Sequence, residues 1–174
     1  MSFINIEIKA RTEQQEHIRT YLLANDAIFK GTDIQTDTYF NVPDGRLKLR
    51  TGNIENNLIY YRRPDLQGPR QSDFQLVAVQ DANALKNMLT TALGIKTTVV
   101  KKREIYFIEN VKFHLDELEG LGRFVEIEAS NKTHPLPVEK LREQCDFYMI
   151  AFDIKNEDLI TGSYSDMVEV RYKV

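Results

Sequence analysis

The sequence predicts an α+β chain in which antiparallel strands build a large sheet or a barrel, with helices packed outside it. Three observations predict this class. Segments 3–11 (FINIEIKAR), 46–50 (RLKLR) and 123–129 (RFVEIEA) alternate apolar and polar residues with a period of two, the spacing of a strand with one buried face. Turn signals such as Pro43-Asp44-Gly45, and Gly120 with Gly122, separate such segments at short range, as hairpins require. Only a few stretches carry helical spacing, and their apolar stripes need a sheet to cover.

The elements follow in order. Residues 12–24 read as a helix, with Thr12 as N-cap, Gln15 as its capping-box partner, and Ile18, Leu22 and Leu23 as the apolar stripe. Strands are expected at 35–42, 46–50 and 57–63. Residues 63–73, with two prolines and a glycine, read as a loop, and 74–79 as a strand. Asp81 opens a second helix that Gly94 stops. A long strand at 97–108 pairs with 110–118, and 123–129 follows. Residues 138–152 form an amphipathic helix. The tail from Ser163 is mixed and gets no assignment.

Composition bounds the function. The chain has 174 residues, is 42% hydrophobic and 28% charged, and so has material for a substantial core. No repeat, linker or low-complexity run divides it, and residues 1–174 read as one domain. A net charge of -3 and a pI of about 5.7 argue against a general nucleic-acid binder. No apolar run nears the ~20 residues of a membrane span, and the N-terminus lacks a signal-peptide pattern. The single cysteine, Cys145, excludes an internal disulfide and fits a reducing compartment. A cytoplasmic protein is expected, and a homodimer is compatible with it.

The charges on the alternating strands carry the functional signal. Glu7, Asp116, Glu126 and Glu128 form an acidic group. Lys9, Arg11, Lys48, Arg50, Lys101, Arg103 and one of Arg62 and Arg63 form a basic group. A solvated sheet face with cross-strand ion pairs would also show alternating charge. Segregation by sign favours a site: if the sheet closes, the charged faces line an interior that needs counter-charges. A polyphosphate suits the cations, since Arg offers forked donors and Lys a compact charge. Mg²⁺ or Mn²⁺ suits the carboxylates.

These residues resemble the CYTH superfamily, which includes class IV adenylyl cyclases and thiamine triphosphatases. Asn5-Ile6-Glu7-Ile8-Lys9 is similar to its ExExK signature. Asp37-Thr38-Tyr39-Phe40, Arg46 to Arg50, and Lys101-Lys102-Arg103 follow in the family's order. So does the block from Leu115-Asp116 to Gly122-Arg123-Phe124-Val125-Glu126-Ile127-Glu128. Tyr61-Arg62-Arg63-Pro64-Asp65 and the ending Ser163-Tyr164-Ser165-Asp166 resemble the class IV branch most, and select Arg63 as the inward arginine. The resemblance implies a closed antiparallel barrel, the triphosphate tunnel fold. It implies Lys9, Lys48, Arg50, Arg63, Lys101 and Arg103 on the phosphates of a triphosphate-containing small molecule. It implies Glu7, Glu126, Glu128 and Asp116 on Mg²⁺ or Mn²⁺. One position departs: Asn5 stands where the signature has its first Glu, offering a neutral oxygen for an anionic one.

Three activities fit. The first is cyclisation of ATP to cyclic AMP and pyrophosphate. The second is hydrolysis of thiamine triphosphate, inorganic triphosphate or a nucleotide. The third is binding without turnover. No general base stands out. His17 and His134 read as surface residues, His114 as a strand residue, and Cys145 as a small buried side chain. Tyr39, Tyr60 and Tyr61 read as packing residues that could also stack on a base. The 63–73 loop could close over a tunnel mouth.

Overall fold

A computed structural model describes residues 2–172 of the chain. Eight strands close into a barrel: β1 (Ser2–Arg11), β2 (Ile28–Phe40), β3 (Arg46–Thr51), β4 (Asn57–Arg62), β5 (Arg70–Ala78), β6 (Ile95–Ile108), β7 (Val111–Leu118) and β8 (Gly122–Ser130). Around the barrel the order is β1-β5-β4-β3-β2-β6-β7-β8, and every neighbouring pair is antiparallel. Closure leaves no edge strand to pair with another chain. Four helices decorate it: α1 (Gln15–Ala24), α2 (Ala82–Leu93), α3 (Val138–Ala151) and α4 (Tyr164–Tyr172). Among the described residues no helix is long and apolar enough to cross a membrane.

The core lies outside the barrel. Ile6, Ile8 and Ala10 of β1 and Val125, Ile127 and Ala129 of β8 turn outward and pack under Ile18 and Leu22 of α1 and Leu141 and Cys145 of α3. Each Val, Leu or Ile among them contributes about 1.5–3 kcal/mol when fully buried. Period-two alternation then forces the opposite faces of these strands, which carry the charges, into the barrel. Cys145 is buried as expected, and its thiol donates to the Ile6 carbonyl oxygen at 3.1 Å.

Four boundaries differ from the sequence reading. The α1 helix begins at Gln15, and Thr12 accepts only from the Gln14 amide. Gln15 does not close a capping box. It is buried, and its Nε2 bridges the Asp116 and Phe124 carbonyls at 2.9 and 3.0 Å, tying α1 to the barrel wall. The β2 strand starts at Ile28, seven residues before the expected 35. Its register shifts between Phe29 and Gly31, where Gly31 adopts φ +128, so the pattern breaks at the bulge. The β5 strand starts at Arg70, inside the expected loop. The tail forms α4. Asp81 and Gly94 cap α2 as expected, with the Asp81 side chain accepting from the Ala84 amide at 2.9 Å.

Candidate functional site

The inner faces of the strands enclose a cavity of about 370 Å³. Lys9, Lys48, Arg50, Arg63, Lys101, Arg103, Glu7, Glu126 and Glu128 all line it. Arg62 is exposed and pairs with Asp44 at 2.7 Å, which leaves Arg63 as the inward arginine. Asp116 does not reach the cavity. It is fully buried in the wall, where Arg103 donates to both its oxygens at 2.6 Å and the Tyr164 hydroxyl donates at 2.7 Å. Asp116, expected from the sequence on a metal, here gives its oxygens to Arg103 and Tyr164.

One wall is cationic. Strand pairing sets Asp37 of β2 opposite Arg50 of β3. Arg50 clasps Asp37 with two hydrogen bonds at 2.9 Å, Lys101 reaches it at 2.8 Å and Lys48 at 3.1 Å. Burial alone would raise the Asp37 carboxyl, but Arg50, Lys101 and Lys48 overcome it and hold it well below the usual carboxylate range. One carboxylate thus anchors three cations, and the wall keeps an excess of positive charge for an anion. Burial drives the Lys101 ammonium well below its ordinary value, despite Asp37.

The opposite wall is acidic. Glu126 and Glu128 share the inner face of β8. Glu126 sits opposite Lys9 of β1 and His114 of β7. Arg103 donates to Glu126 at 3.1 Å, while Lys9 stands 3.9 Å away. Burial, and then the Glu126 charge beside it, push the Glu128 carboxyl up to about 8. Burial lowers the His114 imidazole to about 3, with Arg103 adding to the effect. Burial lowers Lys9 to about 8 against the pull of Glu126. Glu7 is already engaged, by Arg63 and by Arg70 Nε at 3.4 Å.

A third region is apolar. Phe3 of β1 stacks on Phe74 of β5 at 5.8 Å, and Phe74 on Tyr61 of β4 at 5.2 Å. Ile59 and Leu76 extend this shelf inside the cavity. The ammonium of Lys48 and the guanidinium of Arg63 lie 5.6 and 5.5 Å from the Tyr61 ring, so the shelf meets the cations directly. Tyr39 also lines the cavity, whereas Tyr60 faces away from it.

Sequence reasoning assigned no role to several interior residues. Lys112 shares the inner face of β7 with Asp116, so periodicity could have placed it, and Asp37 stands in the Asp37-Thr38-Tyr39-Phe40 element of the resemblance, which could have marked it. Glu55 comes from the β3–β4 connection and pairs with Arg50 at 3.2 Å and with Lys112; no period marks it. Tyr164 enters from α4, with its ring 3.9 Å from the Lys9 ammonium.

A closed antiparallel barrel with a cation-rich wall facing carboxylates across an interior cavity defines the class: a triphosphate tunnel protein. The CYTH domain model matches residues 4–164, and the chain belongs to that family. It is similar to the adenylate cyclase CyaB of Aeromonas hydrophila, with 25% identity over 173 residues, covering 94% of this chain and 88% of the relative. A solved protein of Pyrococcus horikoshii shares its fold with a TM-score of 0.78 and 25% identity, over 93% of this chain and 98% of that one. A Hippeastrum protein described as having a dominant triphosphatase activity shares the fold at a TM-score of 0.63. It is 16% identical, over 98% of this chain and 96% of that one.

Proposed function

We propose that the chain is a divalent-cation-dependent adenylyl cyclase that converts ATP to cyclic AMP and pyrophosphate. The observation that carries this reading is the junction of the Asp37-anchored cations with the Phe3–Phe74–Tyr61 shelf. That junction suits a triphosphate joined to a planar group better than inorganic triphosphate. Stacking on such a shelf contributes about 1–3 kcal/mol per base.

Each region has a part in the reaction. The ribose 3′-hydroxyl loses its proton to solvent, its oxygen forms a bond to the α-phosphorus, and the bond from that phosphorus to the oxygen bridging to the β-phosphorus breaks. Lys48, Arg50 and Lys101 take up the charge that builds on the departing pyrophosphate, as fixed cations do in a site from which water is excluded. Arg63 and Lys9 approach the phosphates from the other side. The acidic wall fits a divalent ion: Glu126 and Glu128 present oxygens to one cavity, and the Asn5 Oδ1 beside them is buried without a partner. Mg²⁺ or Mn²⁺ bound there would polarise the phosphate and acidify the attacking hydroxyl.

Hydrolysis of an organic triphosphate is the second reading. It draws on the same cationic wall and on the triphosphatase activity of the Hippeastrum relative in fold. The deciding experiment incubates the protein with ATP, thiamine triphosphate and inorganic triphosphate, each with Mg²⁺ and with Mn²⁺, and identifies the products. Cyclic AMP with pyrophosphate supports the cyclase. Orthophosphate release replaces it with a triphosphatase and names the substrate. Binding with no product reduces the site to a polyphosphate receptor and points to Asn5.

A further inference from the structure

The inner faces of β7 and β8 hold a side chain that the reading above leaves idle. Strand pairing places His114 directly opposite Glu126. Its Nδ1 lies 3.5 Å from Glu126 Oε2 and 3.8 Å from Glu128 Oε1. One donor atom from each of the three residues lies within 4.8 Å of the other two. A charge-assisted hydrogen bond would be about 2.7–2.9 Å long, so this is no tight imidazole–carboxylate pair. Neighbouring donors around an ion held at about 2.1 Å stand roughly 3.0–3.4 Å apart. The three groups need only a small closure to reach that spacing.

An unpaired atom points to a missing occupant. Asn5 is 4% exposed, lines the cavity together with Glu126 and Glu128, and leaves Oδ1 without a hydrogen-bond partner. His114 is 1% exposed in the wall behind them and turns Nδ1, not its unpaired Nε2, toward the two carboxylates. Buried polar atoms are rarely left unpaired without cause. Glu7, which the ExExK signature would send to a metal, carries two arginines, Arg63 and Arg70, on one oxygen, whereas Glu126 carries Arg103 alone on Oε2 at 3.1 Å and Glu128 carries none among the described residues.

We infer that His114, Glu126 and Glu128 form one cation site on the β7–β8 wall, with the imidazole as a ligand, and that this site selects Mn²⁺ over Mg²⁺. The inference rests on the metal-dependent reading of the tunnel and deepens it in two ways: it adds a nitrogen ligand, and it gives Glu7 to the arginines. Imidazole suits first-row transition ions, whereas Mg²⁺ prefers an all-oxygen shell of near-ideal geometry. Asn5 acts in the same direction. A neutral amide in place of an anion weakens a site that relies on charge more than one that also has a nitrogen donor.

The test uses the whole protein without nucleotide and Mn²⁺ alone as the probe. Binding is followed by loss of the free-ion paramagnetic resonance signal, and pulsed resonance reads nitrogen coupled to the bound ion. The expected result is a nitrogen coupling that changes when histidine is ¹⁵N-labelled and disappears in His114→Gln. Mn²⁺ affinity falls about tenfold or more in His114→Gln and Glu128→Gln, a loss that even outer partners of metal ligands produce. Affinity persists in Glu7→Gln. Mg²⁺ competes poorly against the wild type, and the gap narrows in His114→Gln.

Should His114→Gln fail to fold, His114→Asn is the second variant, and the wild-type coupling requires no variant. Bound Mn²⁺ without nitrogen coupling, a coupling that survives in both His114 variants, or loss of binding in Glu7→Gln overturns the inference. Cyclase turnover without nitrogen coupling sinks the His114 site and leaves the cyclase standing. Nitrogen coupling without cyclic AMP does the reverse. No Mn²⁺ binding at all removes both.

Discussion

The two charged walls of the tunnel solve burial in different ways. On the β2–β3–β6 wall, Asp37 pairs with Arg50, Lys101 and Lys48 at 2.8–3.1 Å. The wall is braced before anything binds, and its surplus is positive. On the β7–β8 wall, Glu126 and Glu128 lie side by side, and Glu128 has only the long His114 contact at 3.8 Å. Glu126 has Arg103 and Lys9 as counter-charges, whereas Glu128 has no close cation among the described residues and holds its proton up to about 8. The contrast teaches that a preformed phosphate cradle can stand on its own ion pairs, whereas the acidic wall is completed by a proton or a cation.

The sharpest way to break this comparison is Asp37→Asn. Removing this carboxylate takes the close counter-charge from Lys101 and Lys48 and leaves Arg50 with Glu55, in a buried wall. Breaking a buried ion pair from one side costs about 3–5 kcal/mol. Denaturant unfolding should show a loss of that size, and added inorganic triphosphate should restore part of it by binding the freed cations. A midpoint unchanged by the substitution would show that Asp37 does not brace the wall.

The next largest effect falls on the acidic wall. Glu126→Ala and Glu128→Ala should each abolish metal-dependent turnover, by at least about 10²–10³ in rate, the size expected when one electrostatic contact to the transition state is lost. Stability should fall in Glu126→Ala, which strips Arg103 and Lys9 of a counter-charge, and change little in Glu128→Ala, whose carboxyl holds its proton at neutral pH. Full activity in both variants would sink the metal assignment.

A smaller effect is a pH dependence with a defined sign. The Glu128 carboxyl is near 8 in the folded chain and near 4.5 when unfolded. Between those values the folded chain binds more protons, so the Glu128 contribution is complete below about 4.5 and is lost as pH rises through 8. His114, lowered to about 3, adds the opposite slope between 3 and its ordinary 6.5. The comparison is therefore wild type against Glu128→Gln. The melting temperature of the wild type should fall relative to the variant by several degrees from pH 4.5 to 8, and Mn²⁺ at pH 8 should reverse the fall. Parallel curves would show that Glu128 does not hold a proton.

The same contrast explains what the sequence made legible. On β1, β3 and β8 the outer residues are apolar and the inner ones charged, and on β6 Lys101 and Arg103 share the inner face, so alternation located the strands and eight of the ten candidate residues, while the resemblance selected Arg63. On β5 the rule fails in its first half. Gln71 and Asp73 face outward, while Arg70 and Ser72 are buried on the inner side. Both faces are polar, the alternation vanishes, and the segment reads as a loop. The partners of Asp116 were hidden for a related reason: its face is the inner one, but Arg103 and Tyr164 take its oxygens, and Tyr164 arrives from a helix 48 residues away in sequence. Glu55 lies in a connection and has no period to reveal it.

The smallest expected effect sharpens the comparison at a single peptide bond. Arg62 and Arg63 are neighbours in sequence, and the strand turns them to opposite sides of the wall. Arg62 lies on the outer surface against Asp44 at 2.7 Å, where solvent screens the pair. Arg63 faces Glu7 inside the cavity, where burial works against its charge and Glu7 overcomes it and holds it as a cation. Arg62→Ala should leave both the melting temperature and the KM for the triphosphate unchanged within error. Arg63→Ala should raise KM by about tenfold or more, the effect of losing one charge-assisted contact of roughly 1.5–3 kcal/mol. Equal effects of the two substitutions would mean that the side a strand turns to the interior does not decide which arginine meets the phosphates.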